Sequence, residues 1–390
     1  MHTLIELFDE RPFENVIATL VFRPARTIFL CSPQIAKDTH LHTLTRQLLL
    51  SRGVTTATAY VAADTFSAQD TARALSAVLA EAEDAAIDIT GGTDAALYAA
   101  GQVTALHPVP VFTYSRRRGC FFSVRDAAFA EGVPCDIELT IDDYFLMAGG
   151  STRPGRVDNA VLAQYLPLFD PFFDVFLQNR AVWPRFVSWM QRASAPLADG
   201  TLSLHVDAPR TLKGDHGRMT EAPEAVLKGL EAAALISNLT LGDTVCFDLP
   251  DTQIRTWLRD VGSVLELYVY KHCLDTRLFR EVRTSVVAEW ENGAGSAAVT
   301  NEIDVIASRG VVPLFISCKT CDARTEALNE LAILRDRFGG RMACAAIVTA
   351  ENASAPLRRR AEELDIAVID VNDLLSGEID AALLSAAGKP

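Results

Sequence analysis

Asp304 and Lys319 are the residues whose types and spacing best suit chemistry on a phosphodiester. They lie in two apolar runs, residues 302–305 and 312–319, which read as strands joined by a turn at Ser308-Arg309-Gly310. Residues two apart in a strand share a face. Glu302 and Asp304 are therefore expected to point one way, and Ile303 and Val305 into a core. On the second strand Ser317 and Lys319 share a face, with Ile316 and Cys318 opposite. Paired, the strands would bring acids and an amine to one polar spot. That spot could offer oxygen ligands to a hard cation, Mn²⁺ or Mg²⁺, and a fixed positive charge beside a scissile phosphate. The competing reading is a surface ion pair, worth under ~1 kcal/mol.

The elements around this hairpin follow an order. A helix over 258–273 carries Glu266. Strands follow at 286–290, 302–305 and 315–319, then a helix over 325–338 and strands at 343–349 and 366–370. An acid, a hairpin and a residue-x-Lys ending resemble the PD-(D/E)xK nuclease superfamily, with Ser317 standing where the second acid usually stands. The resemblance implies a catalytic set of Asp304, Lys319, Glu266 and Ser317, with metal ligands drawn from Asp304, Glu266 and Glu302. A hydroxyl is a weak neutral ligand, so Glu266 or Glu302 would have to make up for the missing charge at Ser317. A lysine beside metal-bound water can stabilise developing negative charge.

Upstream, strands near 4–8, 27–31, 58–61, 85–89 and 109–114 alternate with helices. That alternation predicts a parallel, doubly wound, Rossmann-like sheet. Residues 121–124 and 137–141 read as an appended hairpin. Ligands bind such sheets at the carboxyl ends of the strands. The loops there supply Arg11 and Pro12, Ser32 and Gln34, Thr90-Gly91-Gly92-Thr93-Asp94, and Arg116 as candidate ligand-binding residues. The free N–H groups of the glycine loop suit a phosphate, whereas the G-x-G-x-x-G and P-loop patterns are absent from the sequence. A tight turn with a threonine cap is the plain alternative. A strand, Thr90-Gly91-Gly92-Thr93 and an alanine-rich helix resemble the CARF domain of CRISPR-associated proteins, with Asp94 where many relatives carry Lys.

The rest of the chain sets the frame. Its 390 residues allow two or three domains, and 49% hydrophobic with 22% charged residues describe an ordinary globular protein. No apolar run reaches the ~20 residues of a membrane helix. With no secretory signal, a cytoplasmic location is expected. A net charge of −14 argues against nucleic-acid binding by bulk charge but leaves room for a local basic cleft. The eight cysteines sit mostly in apolar contexts, as reduced thiols would. An aromatic stretch over 162–190 reads as a packed core rather than a ligand cage, and 193–199 as a linker. A strand at 202–206, a loop over 209–219, a helix over 222–238 and a strand at 244–249 read as a small winged-helix-like or accessory module.

The expected division is 1–148 as a CARF sensor, 149–250 as a helical linker and connecting module, and 251–390 as a PD-(D/E)xK domain. Together these resemble the ancillary effector nucleases of type III CRISPR systems. The resemblance implies a homodimer that binds a cyclic oligoadenylate, with the four-adenylate ring expected. It also implies metal-dependent cleavage of DNA or RNA, with no membrane partner. The alternative is a CARF-type sensor whose nuclease-like domain is inactive and binds nucleic acid or a partner.

Overall fold

The structure is a computed structural model that describes residues 1–8, 13–195, 202–213, 219–291, 299–321 and 323–388. The N-terminal part runs β1 (Thr3–Leu7), α1 (Ile17–Phe22), β2 (Arg26–Cys31), α2 (Pro33–Lys37), α3 (Thr39–Ser51), β3 (Ala57–Ala62), α4 (Ala68–Glu81), β4 (Ala85–Asp88), α5 (Asp94–Leu106), β5 (Val111–Ser115) and β6 (Cys120–Arg125). They form a six-stranded sheet of order β3-β2-β1-β4-β5-β6. The first five strands are parallel, and β6 turns back antiparallel on β5. Helices over both faces bury such strands along their whole length, and all five residues of β1 are buried. Ser67 and Thr93 cap α4 and α5 through their hydroxyls.

Next come α6 (Ile141–Met147), β7 (Ser151–Pro154), α7 (Leu166–Asn179) and α8 (Trp183–Ala193). The middle module holds β8 (His205–Pro209), β9 (Thr211–Lys213), β10 (Met219–Glu221), α9 (Glu224–Ala232), β11 (Ser237–Leu241) and β12 (Thr244–Asp248). Strands β11, β12 and β8 make one sheet, and β9 and β10 a second. The C-terminal part runs α10 (Thr252–Leu258), α11 (Ser263–Asp275), β13 (Glu281–Glu289), β14 (Thr300–Arg309), β15 (Val312–Lys319), α12 (Thr325–Gly339), β16 (Cys344–Thr349), α13 (Ala355–Glu363), β17 (Ala367–Ile369), α14 (Val371–Ser376) and α15 (Ile379–Ala386). Its mixed sheet has the order β17-β16-β15-β14-β13-β7. The fold class is that read from the sequence: a parallel-rich Rossmann-like sheet plus a mixed one.

Several elements differ from the expectation. Residues 137–140 form no strand; Thr140 instead caps α6 with a capping box to Asp143. The expected helix over 258–273 is two helices, because Asp260 accepts from the amides of Gly262 and Ser263 and starts α11 afresh. The expected helix over 222–238 stops at Ala232, and the loop over 209–219 contains β9 and the start of β10. The expected strand at 202–206 begins only at His205. β7, inside the expected connecting segment, is the outer strand of the C-terminal sheet. The 193–199 linker lies largely outside the described residues.

The aromatic stretch is a packed core. Phe169, Phe172, Phe173, Phe176, Trp183 and Trp189 are buried against α11 and the middle module. Phe173 stacks on Tyr268 with ring centroids 3.7 Å apart. The segment Asn159–Ala193 is, by length and composition only, apolar enough to cross a membrane, although Asp170 and Asp174 keep any unbroken apolar run in it short. Its apolar face is spent on this internal core.

Helix α6 joins the two large sheets. Phe145 packs on Phe338 of α12 with centroids 4.4 Å apart, and Tyr144 packs on Phe13 at 5.0 Å. The Tyr144 hydroxyl and the Leu139 amide both donate to the carbonyl of Gly310 in the β14–β15 turn. Asp143 pairs with Arg52 just after α3, and Asp142 takes a two-pronged bond from Arg283 of β13 at 2.7 and 2.8 Å. One apolar cluster therefore runs from Leu4 and Phe121 through Phe145 to Phe315 and Phe338. Phe145→Ala should cost about 3–5 kcal/mol and lower the denaturation midpoint of the whole chain. A mutant in which only one of the two domains shifts its midpoint would contradict the shared core.

Candidate active site

Asp304 sits on β14 where the antiparallel pairing is distorted. Opposite it, Ser285 of β13 adopts a left-handed conformation with φ 51°, which costs a non-glycine residue of order 1 kcal/mol. Side-chain faces change over at this point. Val282, Val305 and Ala307 pack toward α11, whereas Val286, Ala288 and Ile303 join the cluster under α12. Ile303 and Val305 therefore do not share a face, as simple alternation had predicted. The pairing keeps its register on either side, Thr284 with Val305 and Val286 with Ile303, and Asp304 reaches the end of β15.

There its Oδ2 accepts from the Ser317 hydroxyl at 3.1 Å, the Cys318 amide at 2.6 Å and Lys319 Nζ at 3.3 Å. Ser317 thus orients Asp304. Burial alone would pull the Lys319 ammonium down, but Asp304, with Cys318 and Glu266 adding to it, holds its pKa above the usual lysine value. Glu302, Asp304, Ser317 and Lys319 line a small pocket roofed by Glu330 and Leu331 of α12.

Glu266 enters from the first turn of α11 and is buried. Burial, with Asp304 and Asp260 adding to it, pushes its carboxyl up to about 8. A Cβ on Gly262 would lie 2.8 Å from Glu266 Oε1. With glycine at this position, Glu266 folds back over the N-terminus of its own helix.

Two further residues belong to the site, and no motif in the sequence announced them. Arg156, just after β7, reaches Glu302 through Nε at 3.3 Å and Nη2 at 3.2 Å, and Asp260 through Nη1. Its amide donates to Ser285 Oγ, which itself donates to Glu302 Oε1. Asp260 binds Arg156 with Oδ1 and caps α11 with Oδ2. The only signal in the sequence was compositional: an Asp two residues before a Gly-Ser helix start.

The donor chemistry suits one hard cation. Glu266, Asp304, Glu302 and Asp260 stand against Arg156 and Lys319, four formal negatives to two positives. Mg²⁺ commonly uses one or two carboxylates with water and substrate phosphate, and Asp304 and Glu266 provide that number. Among the described residues no three His, Cys, Asp or Glu side chains are gathered as a ready metal cage. Glu302 is turned to Arg156 and Ser285 instead.

At the other sheet the candidates are dispersed. Thr90 Oγ1 donates to Asp88 and accepts from the Tyr114 amide, so its hydroxyl is used inside the fold. Thr93 caps α5 and donates to the Thr65 carbonyl. Gly91 and Gly92 are buried; Gly92 has φ 96°, and a Cβ there would lie 2.9 Å from Leu7 Cβ. Ser32 caps α2, while Gln34 and Asp94 are exposed. Arg116 donates to the carbonyls of Arg341 and Ala343 in the C-terminal domain. Arg11 and Pro12 lie outside the described residues. Under the glycine loop Glu6 and Asp88 pair in register on β1 and β4, both buried. Burial raises both carboxyls, that of Asp88 to about 6. An acid inside each of two apolar runs was the available signal for this pair.

Residues 255–384 match the Card1-like endonuclease domain family. The endonuclease reading of this stretch is borne out. Two solved structures share the fold along the whole chain. Protein VC1899 from Vibrio cholerae has 18% identity and TM-score 0.72, covering 100% of this chain and 99% of its own. Can2 from Sulfobacillus thermosulfidooxidans, solved in complex with cyclic tetra-adenylate, has 18% identity and TM-score 0.70, covering 99% and 97%. No curated protein matches the chain.

The raised Glu266 pKa has a consequence for stability. Stability from its protonated form is fully present below the ordinary carboxylate range and is lost as pH rises through about 8. Glu266→Gln stays neutral throughout. In chelator it should therefore stabilise the protein at pH 9 by about 1–3 kcal/mol and change little at pH 5. Melting curves at the two pH values check this, and equal shifts at both would contradict it.

Proposed function

We propose that the protein is a metal-dependent nuclease activated by a cyclic oligoadenylate, acting on DNA or RNA in type III CRISPR antiviral defence. The observation that carries this reading is Asp304 held by Ser317, the Cys318 amide and Lys319 beside buried Glu266, within the stretch that matches a Card1-like endonuclease domain. Can2, of similar fold, is known with cyclic tetra-adenylate, which makes that ring the first activator to test. The sensor would comprise residues 1–148 and act as a homodimer, with the ring bound between two sensors.

In this reading Asp304 and Glu266 hold Mn²⁺ or Mg²⁺, which would activate water and offset charge on the phosphate. Ser317 fixes the Asp304 rotamer by hydrogen bonding. Lys319 places its ammonium where negative charge develops on the scissile phosphate. Activator binding would shift a population of inactive molecules toward one in which this site is complete.

Purified protein with Mn²⁺ and cyclic tetra-adenylate should cut single-stranded or supercoiled nucleic acid, and cut little without the activator. Asp304→Ala or Lys319→Ala should lower cutting by about a hundredfold or more and leave activator binding, read by thermal shift, intact. Unchanged cutting in both variants would sink the site assignment.

Ser317 in place of an acid favours one other reading: a sensor whose endonuclease-like domain binds nucleic acid or a partner without cutting. Mn²⁺ calorimetry separates the two. An active site shows binding that Asp304→Ala removes, and an inactive one shows none to remove.

A further inference from the structure

The three acids expected to share a metal are not gathered as a cage among the described residues, and one of them, Glu302, is held by Arg156. All three of its nitrogens are occupied: Nε and Nη2 fork onto Glu302, and Nη1 binds Asp260. Forked arginine–carboxylate pairs fix geometry as well as charge. A guanidinium so engaged is poorly placed to receive a phosphate. It does place a full positive charge beside Glu302, Asp260 and, more remotely, Glu266.

Its backbone is held just as firmly. The Gly155 amide donates to the Ser285 carbonyl at 2.6 Å, and a Cβ on Gly155 would come within 2.5 Å of that same oxygen. The Arg156 amide binds Ser285 Oγ. The segment is thus clamped to the left-handed residue opposite Asp304. Upstream it continues from β7, and β7 follows α6, whose adjacent acids bind Arg52 in the sensor and Arg283 in the C-terminal sheet. Thr152 of β7 also donates to Asp142 of α6. A continuous bonded path therefore runs from α3 through α6 and β7 to the guanidinium.

We propose that Arg156 is an internal cation that holds Glu302 and Asp260 in the resting protein, competes with a divalent metal for the acid cluster, and is withdrawn when the sensor moves α6 and β7. Glu302 released from Arg156 would join Asp304 and Glu266 and restore the charge that Ser317 does not supply. The inference rests on the metal-dependent reading above, and its test separates the two.

The test measures Mn²⁺ affinity by calorimetry and by loss of the free-ion electron paramagnetic resonance signal, without and with cyclic tetra-adenylate. The proteins are the parent, Arg156→Gln, Arg156→Lys and Asp304→Asn. Without activator, Arg156→Gln should bind Mn²⁺ about fivefold tighter than the parent, the scale of one partly exposed ion pair. The gap should close when activator is present. Arg156→Lys keeps the charge without the fork and should fall between them. Activator-free cutting should rise in the same order.

Binding that Asp304→Asn abolishes and Arg156→Gln leaves unchanged or weakens overturns the inference alone. Absence of Mn²⁺ binding in every protein, with and without activator, overturns the metal reading and the inference together. Equal thermal stability of parent and Arg156→Gln in chelator guards against a folding defect; a variant that melts early is replaced by Arg156→Lys for the comparison, where an unchanged affinity counts against the proposal.

Discussion

The interaction on which the structure depends is the burial of Phe145 between the two large sheets. Apolar surface released from water is worth about 25 cal/mol per Å², and an aromatic ring commits much of it at once. Because Phe145 meets Phe338 while its neighbour Tyr144 meets Phe13, α6 belongs to both cores. The two domains are fused through packing. A displacement in one is passed to the other as a shift of packed elements. Polar bonds anchor α6 on both sides: Asp143 to Arg52, Asp142 to Arg283, and Gly310 held by Leu139 and Tyr144.

Much of the fold was legible in the sequence, for physical reasons. Strands such as 85–88 are apolar runs between turn signals, and their alternation with capped helices leaves few topologies. The hairpin carrying Asp304 and Lys319 was legible because a strand alternates with period two. The same rule failed at one place, Ile303 and Val305, where Ser285 enters the left-handed region and the faces change over. Tertiary geometry imposed that change-over, and nothing local in the residues around Ser285 announces it. The break between α10 and α11 could have been read from Asp260, Gly262 and Ser263, a capping acid before a helix start. Arg156 could not: it acts across the sheet on partners more than a hundred positions away, and such contacts leave no periodic trace.

The glycine loop illustrates the opposite difficulty. Thr90 and Thr93 look free in sequence, yet both hydroxyls are spent on the fold, one on Asp88 and the Tyr114 amide, the other on α5 and the Thr65 carbonyl. What the loop can offer a ligand is backbone. Beneath it, Glu6 and Asp88 are two acids buried side by side, and like charges so placed cannot both ionise cheaply. The loop stands on two buried acids whose carboxyls burial pushes upward, Glu6 the further of the two.

Gly262 has a consequence for how such a protein changes over generations. The space that a methyl group would fill there holds Glu266 Oε1, the mobile end of a side chain. Backbone and core are not obstructed, so one codon change at this position would move the acid aside while the sheets, the sensor and the α6 joint stayed as they are. Under the proposed function, such a change would separate activator binding from cutting.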